Sequence, residues 1–295
     1  MAQPLVTIGV CVRNCESTVK QAIQSVIDQD YPHEFMEVIF VDDGSEDRTL
    51  SVIQYYVERM DMLTEVYSDE WKGLGPARNV VVDNATGDYI LWVDGDMILP
   101  EDHVRKQVEF MEKNRRVGIA KGRYGNLSGR GLVGFLENAA FQAVDSKFPG
   151  KVTSRVLGTG GSIYRAEAIR QVGGFDNEMT GVGEDADAEH RVKNGGWLLY
   201  RATPAVFYER RRETWKALWN ENFWHGCGAY DLYQKSSDTV DLLKMSPLGG
   251  FVAGVWYSII AYKSIFKKRV FLLPIEYTFK RTAWFFGFVS SQTKS

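Results

Sequence analysis

The first 117 residues alternate two hydrophobic periods, and that alternation constrains the fold more than any other feature of the chain. "PLVTIGVCV", "MEVIFV", "LTEVYS" and "DYILWV" are short β-rich runs. Between and after them apolar residues recur at helical spacing: Val19, Ile23, Val26 and Ile27, then Leu50, Ile53, Val57 and Met60, then Val104, Val108 and Met111. A further helix opens near Pro76, a residue suited to a first helical turn. Such alternation predicts an α/β fold with a doubly wound, mostly parallel sheet, whose ligands bind outside the carboxyl ends of the strands.

The strand ends are therefore read together. The first ends in Arg13-Asn14, the second in Asp42-Asp43-Gly44-Ser45 and the fourth in Asp94-Gly95-Asp96. From about 118 to 210 the pattern is less regular. "RVLGTGGSIYR" offers a glycine-rich loop entering a strand, followed by a short helix from Ala166. "GEDADAEHRVKNGG" reads as a helix beginning at Glu184 or Asp185 and stopped by Gly195-Gly196. Acids in a first helical turn are favourable by the helix dipole alone, so Glu184 and Asp185 also have a purely structural explanation. Trp215, Trp219 and Phe223 fall four residues apart on a later helix, as packing residues.

Carboxylates gathered in one crevice repel each other and any phosphate ligand. A divalent cation relieves both conflicts. Mg²⁺ and Mn²⁺ take oxygen ligands, commonly one or two protein carboxylates plus substrate phosphates. That chemistry predicts a metal–diphosphate site on Asp94 and Asp96, with Gly95 letting the backbone approach the ligand.

These segments, in this order, resemble the family 2 glycosyltransferases, which have the GT-A fold of nucleotide-diphospho-sugar transferases. The resemblance runs from about Leu5 to Ala229. It rests on "VTIGVCVRN", "VDDGSEDRT", "GPARNVVVDNATGDYILWVDGD", "GTGGSIYR" and "GGFDNEMTGVGEDADAEHRV". It implies that Arg13 and Asn14 edge the nucleotide pocket with Glu16 nearby, and that Asp42 or Asp43 hydrogen-bonds the base. Arg78 is expected at the same pocket, holding either the acidic turn or the phosphates, and Gly160 at the donor from the glycine-rich loop. Asp94 and Asp96 would hold the metal. Asp185 would act as catalytic base, supported by Glu184, in an inverting transfer from a nucleotide-diphosphate sugar. Many relatives place a histidine after the last core strand; "AVFYERRR" puts Glu209 there instead. His225, in "NENFWHGCG", is left outside the metal set.

Charge separates the tail from the body. Residues 246–295 hold seven Lys/Arg and one acid, whereas the remainder holds 28 basic and 37 acidic residues. An acidic body with a basic, aromatic tail is not a nucleic-acid-binding profile and fits attachment to an anionic surface. Residues 245–262 carry no charge, at the lower limit for a membrane span, but include Pro247, Gly249, Gly250 and Gly254. A single span would send Lys267, Lys268 and Arg269 to the far side, against the positive-inside tendency. The tail is thus expected to be peripheral or monotopic on the cytoplasmic face of the cell membrane, as two interfacial helices or a re-entrant pair. The alternatives are a spanning helix, a packed helical subdomain or a dimer surface.

The expected organisation is a catalytic domain over 1–233, with a nucleotide-binding half to 117 and an acceptor-side half after it. A helical tail follows over 234–295. A membrane-seated site suits a lipid-linked or glycan acceptor. Cys11, Cys15 and Cys227 are too scattered for a disulfide framework, and "MAQPLVTIGV" lacks the features of a signal peptide. The N-terminus carries neither the phosphate loop of a sugar-nucleotide pyrophosphorylase nor the G-x-G-x-x-G of a nicotinamide enzyme. A non-catalytic, sugar-nucleotide-binding scaffold of the same fold remains the rival reading.

Overall fold

The computed structural model describes residues 3–125, 129, 131–147, 150–179, 181–235 and 240–292, with the backbone alone over 142–147. The expected alternation is present throughout the first 117 residues. Strands β1 (Val6–Val12), β2 (Met36–Asp43), β3 (Leu63–Asp69) and β4 (Tyr89–Trp92) alternate with helices α1 (Val19–Ile27), α2 (Thr49–Val57) and α3 (Leu74–Asn84). After β4 come β5 (Met97–Ile98), α4 (His103–Lys113), β6 (Val117–Tyr124), α5 (Gly131–Lys147), β7 (Lys151–Thr153), β8 (Ser162–Arg165) and α6 (Ala166–Gln171). The chain continues through α7 (Glu184–Asn194), β9 (Leu198–Glu209), α8 (Trp215–Lys235), α9 (Leu242–Met245), α10 (Pro247–Ile265) and α11 (Leu273–Gln292).

The strands form one mixed sheet in the order β3-β2-β1-β4-β8-β6-β9-β5, with β7 added on β9. Pairing is parallel over β3-β2-β1-β4 and between β6 and β9. It turns antiparallel where β8 runs between β4 and β6, and where β5 and β7 meet β9. The register sets Val12 opposite Asp42 and Asp43 opposite Asp69, so the polar strand ends share one edge.

Both faces of the parallel half are covered, which explains its nearly continuous apolar strands. Ile8, Val10, Val38 and Phe40 pack with Ile23 and Val26 of α1, Ile53 of α2 and Val104 and Met111 of α4. Their alternate neighbours Ile39, Val41, Ile90 and Trp92 pack with Val81 of α3, Ile169 of α6 and Val192 of α7. Trp92, 2% exposed, is accommodated across the sheet by Gly9, where a Cβ would lie 2.8 Å from the indole. Burying such a ring contributes several kcal/mol at about 25 cal/mol per Å².

Two compact units emerge. The first comprises residues 1–125, 150–180 and 184–209, and the second 126–149, 181–183 and 210–295. The boundary expected at 233/234 lies inside the second unit, because α8 and α5 pack with the tail helices. Within that unit the helices approach backbone to backbone at glycines. A Cβ on Gly226 of α8 would strike the Trp284 carbonyl of α11, and one on Gly287 would strike the Phe223 carbonyl. Gly250 and Gly254 of α10 face Tyr277 and the Leu273–Pro274 segment of α11 in the same way. Glycines that weaken α10 as an isolated helix thus serve to pair it with α11. Phe266, in a left-handed conformation, ends α10 and starts the reversal through Lys268–Leu272.

Candidate active site

Two groups of side chains collect at the carboxyl edge of the first unit. One lines a cavity of about 550 Å³ bounded by Arg13, Asp42, Gly44, Ser45, Leu50, Ser68 and Trp71, among others. The β1–α1 connection and the acidic turn after β2 are knitted together here. Asn14, at φ 50°, donates its backbone amide to Ser45 Oγ at 2.9 Å and accepts the Glu46 amide through Oδ1 at 2.8 Å. Arg13 lies 5.4 Å over the Trp71 ring. Trp71 is 54% exposed, an aromatic face presented to solvent with a cation beside it.

The two aspartates of the turn divide. Asp42 lines the cavity and accepts the Ser45 amide at 2.8 Å, closing the turn. Asp43 accepts the Lys72 amide at 2.7 Å and the Gly73 amide at 3.0 Å, which fixes the loop leading into α3. Glu16 accepts the Arg48 amide and Nε at 3.1 and 3.2 Å and lines a neighbouring cavity of about 630 Å³ with Lys20 and Tyr55.

The second group surrounds Asp94. A turn in which the Met97 amide donates to the Asp94 carbonyl at 3.0 Å carries Asp94-Gly95-Asp96 off the end of β4. The glycine-rich loop passes directly over it: a Cβ on Gly160 would strike Asp94 Oδ2. The loop is anchored by the Gly161 amide on the Trp92 carbonyl at 3.0 Å and by Gln107 Nε2 on the Gly161 carbonyl at 3.1 Å. Burial pushes the Asp94 carboxyl above the usual carboxylate range; Arg78 and Lys121 oppose that rise, and Glu209 and Asp185 add to it. Glu209 reaches this point because β9 ends opposite Met97.

Arg78, on α3, is buried and forms an ion pair with Glu184, itself 1% exposed at the start of α7. Arg78 thus pairs with the start of the helix that carries Asp185, and not with the acidic turn after β2. His225 lies on α8, in the second unit.

Three residues at these sites were not legible as site residues: Trp71, Lys121 and Glu189. Lys121, on β6, is 6% exposed, and its Nζ donates to the Gly158 carbonyl at 3.4 Å. Glu189, one turn after Asp185, accepts the Leu157 and Gly158 amides at 2.7 and 2.8 Å. Burial and the neighbouring Asp185 push its carboxyl up to about 8. A tryptophan in the polar stretch "SDEWKG", and a lysine in the otherwise apolar "VGIAKG", were the available signals.

The donor set fits a hard divalent cation. Asp94 is a carboxylate whose ionised form needs positive charge, and Gly160 lets the loop backbone pack directly against its Oδ2. Among the described residues no three His, Cys, Asp or Glu side chains gather into a complete cage. Mg²⁺ and Mn²⁺ do not require one, since substrate oxygens commonly complete their coordination.

The sequence profile described as Glycosyl transferase family 2 matches residues 7–173, more than half of the chain. This chain belongs to that family. It is 30% identical over 213 residues to the putative glycosyltransferase EpsE of Bacillus subtilis, covering 70% of this chain and 73% of EpsE. The chain spans about half the length of several curated relatives it matches. Among solved structures it is similar to the mannosyltransferase PcManGT of Pyrobaculum calidifontis in complex with GDP-Man and Mn²⁺. That likeness has a TM-score of 0.71 at 15% identity and covers 100% of this chain and 88% of the other. It is also similar to Staphylococcus aureus TarS 1–349 in complex with UDP-GlcNAc, at a TM-score of 0.55 and 16% identity over 99% and 92%. Family and fold are thereby fixed: a family 2 glycosyltransferase with a GT-A-type mixed α/β fold.

Proposed function

We propose that this chain transfers a sugar, with inversion, from a nucleoside-diphosphate sugar to a hydroxyl of a lipid-linked or glycan acceptor. The observation that carries this reading is the convergence of Asp94 and Asp185 across one glycine-rich loop. Gly160 lies against Asp94, and a Cβ on Gly158 would stand 3.5 Å from Asp185 Oδ2. PcManGT with GDP-Man and TarS with UDP-GlcNAc, on the same fold, support the donor class.

Arg13, Asn14, Asp42 and Ser45 frame the nucleoside end, with Trp71 as a stacking face. Asp43 acts from behind, by holding the loop that presents Trp71. Asp94 and Asp96 hold Mg²⁺ or Mn²⁺. When bound, that ion supplies Lewis-acid stabilisation of the diphosphate leaving group. Asp185 accepts the proton of the acceptor hydroxyl as its oxygen bonds to the anomeric carbon. The bond from that carbon to the diphosphate breaks, and the electron pair leaves with the nucleotide. Glu184, neutralised by Arg78, fixes the start of the helix that aims Asp185.

The second unit seats the enzyme on a membrane. Helix α10 is long and apolar enough to cross one, and only 22% of its apolar window is buried. Leu248, Phe251, Val252 and Trp256 are each at least half exposed. Lys267, Lys268 and Arg269 follow at the reversal, where anionic headgroups would meet them. This arrangement favours peripheral seating of the hairpin, and with it a lipid-linked acceptor.

The test is thermal denaturation of the purified chain with UDP- and GDP-sugars, each with and without Mn²⁺, followed by assay of nucleotide release. Stabilisation by one base family only with metal, and turnover of that donor, is expected. A folded protein that neither shifts nor turns over any donor would overturn the reading in favour of the scaffold.

A further inference from the structure

The peptide units of Leu157, Gly158 and Thr159 are held from two sides by groups that no transfer step uses. From below, the Glu189 carboxylate takes both the Leu157 and Gly158 amides, at 2.7 and 2.8 Å. From the sheet, Ser162 Oγ at 2.6 Å and Lys121 Nζ at 3.4 Å both donate to the Gly158 carbonyl. Lys121 is further confined by the rings of Tyr124 and Phe207, whose centres lie 5.2 and 5.5 Å from its Nζ. A buried lysine and a buried glutamate on opposite sides of one glycine are costly features, since polar groups taken from water must be compensated. A loop that merely connected two strands would not require them.

The position of this loop gives them a purpose. Gly158, at φ 78°, lies between Lys121 and Asp185: its Cβ, if present, would be 3.4 Å from Lys121 Nζ and 3.5 Å from Asp185 Oδ2. Two residues on, Gly160 packs against Asp94. Glu189 sits one turn below Asp185 on α7 and Lys121 projects from β6, so the loop is bolted to both the base helix and the sheet.

We propose that Lys121 and Glu189 are positioning residues that clamp the Leu157–Gly161 loop and thereby set the separation of Asp94 from Asp185. The inference rests on the transferase reading above and adds to it the elements that hold its two halves in register. A displacement of about 1 Å at reacting groups can cost a hundredfold in rate, so the clamp acts on kcat.

Glu189→Gln keeps the shape but offers one acceptor oxygen to two amides, setting its own NH₂ against the other. In this variant kcat for transfer is expected to fall about 100-fold while the donor KM moves by less than about threefold. Site-resolved hydrogen exchange at the Leu157 and Gly158 amides should accelerate about tenfold or more, with the strands of the sheet unchanged. Ser162→Ala, a gentler loss of one bond to Gly158, should show the same signature at smaller amplitude. Lys121→Met should follow Glu189→Gln in kcat, and Lys121→Arg should recover part of the loss. Unchanged kcat despite exposed amides would overturn the proposal, as would kcat, KM and melting temperature falling together in Ser162→Ala. A wild type with no turnover would fail the transferase reading instead; the exchange comparison alone would then keep or overturn the clamp.

Discussion

In the first unit, Asp94, Asp185, Glu189 and Lys121 gather around peptides that carry no side chains, at Gly158 and Gly160. In the second, Glu137 of α5 and Glu276 and Lys280 of α11 are shut between helices. Lys280 Nζ lies 2.5 Å from Glu137 and 3.4 Å from Glu276. Burial alone would raise the Glu137 carboxyl, but Lys280 holds it down at about 2, whereas burial drives Glu276 well above its ordinary range. Both clusters meet the cost of desolvating charge, and they differ in what surrounds it. One gathers around glycine backbone at the carboxyl edge of a sheet; the other is enclosed between helices.

That contrast is broken most directly at Asp185. Asp185→Asn should lower transfer by about 10³-fold, within the range for losing a general base, while donor affinity measured by calorimetry is retained. Comparable turnover in the variant would remove Asp185 from the chemistry. Lys280→Met should do the reverse. Stranding Glu137 in the helical unit is expected to cost about 3 kcal/mol in urea denaturation, with turnover per folded molecule preserved.

His103 offers a third way of burying a titratable group, as a neutral one. It is fully buried on α4 with Nδ1 2.6 Å from the Val206 carbonyl, and burial lowers it to about 4 from an ordinary 6.5. A depressed folded value means that its contribution is complete above pH 6.5 and is lost as pH falls toward 4. Relative to His103→Gln, the wild type should lose about 2 kcal/mol between pH 7 and pH 5, read by denaturation at both values. The smallest effect is expected at the exposed rim. Trp71→Ala should weaken nucleotide binding about tenfold by removing a stacking face, with no change in melting temperature of the free protein.

The parallel half was legible because its determinants are local. Val19, Ile23 and Val26 announce a helix, and the residues closing each strand must lie at one edge of a parallel sheet. The same logic puts Asp42 and Asp94 at that edge, where the structure has them. The split between Asp42 and Asp43 was not legible, because it depends on the Lys72–Gly73 amides about 30 residues away. Lys121 and Glu189 were hidden for a similar reason. Their partner is the Leu157–Gly158 peptide, 37 and 31 residues from them at Gly158, and a backbone amide leaves no mark in a sequence. In the tail, Gly250 and Gly254 read as helix breakers when α10 is considered alone; their use appears only once α11 lies against them.

Those glycines have a consequence for redesign. At Gly226, Gly250, Gly254 and Gly287 the helices α8, α10 and α11 approach backbone to backbone, while Leu248, Phe251 and Val252 of α10 are each at least half exposed. Leu248, Phe251 and Val252 can therefore be exchanged as a set for Lys, Glu or Gln with little repacking of the bundle. The coat of this unit is interchangeable, and a polar version would give a water-compatible enzyme with its catalytic half untouched.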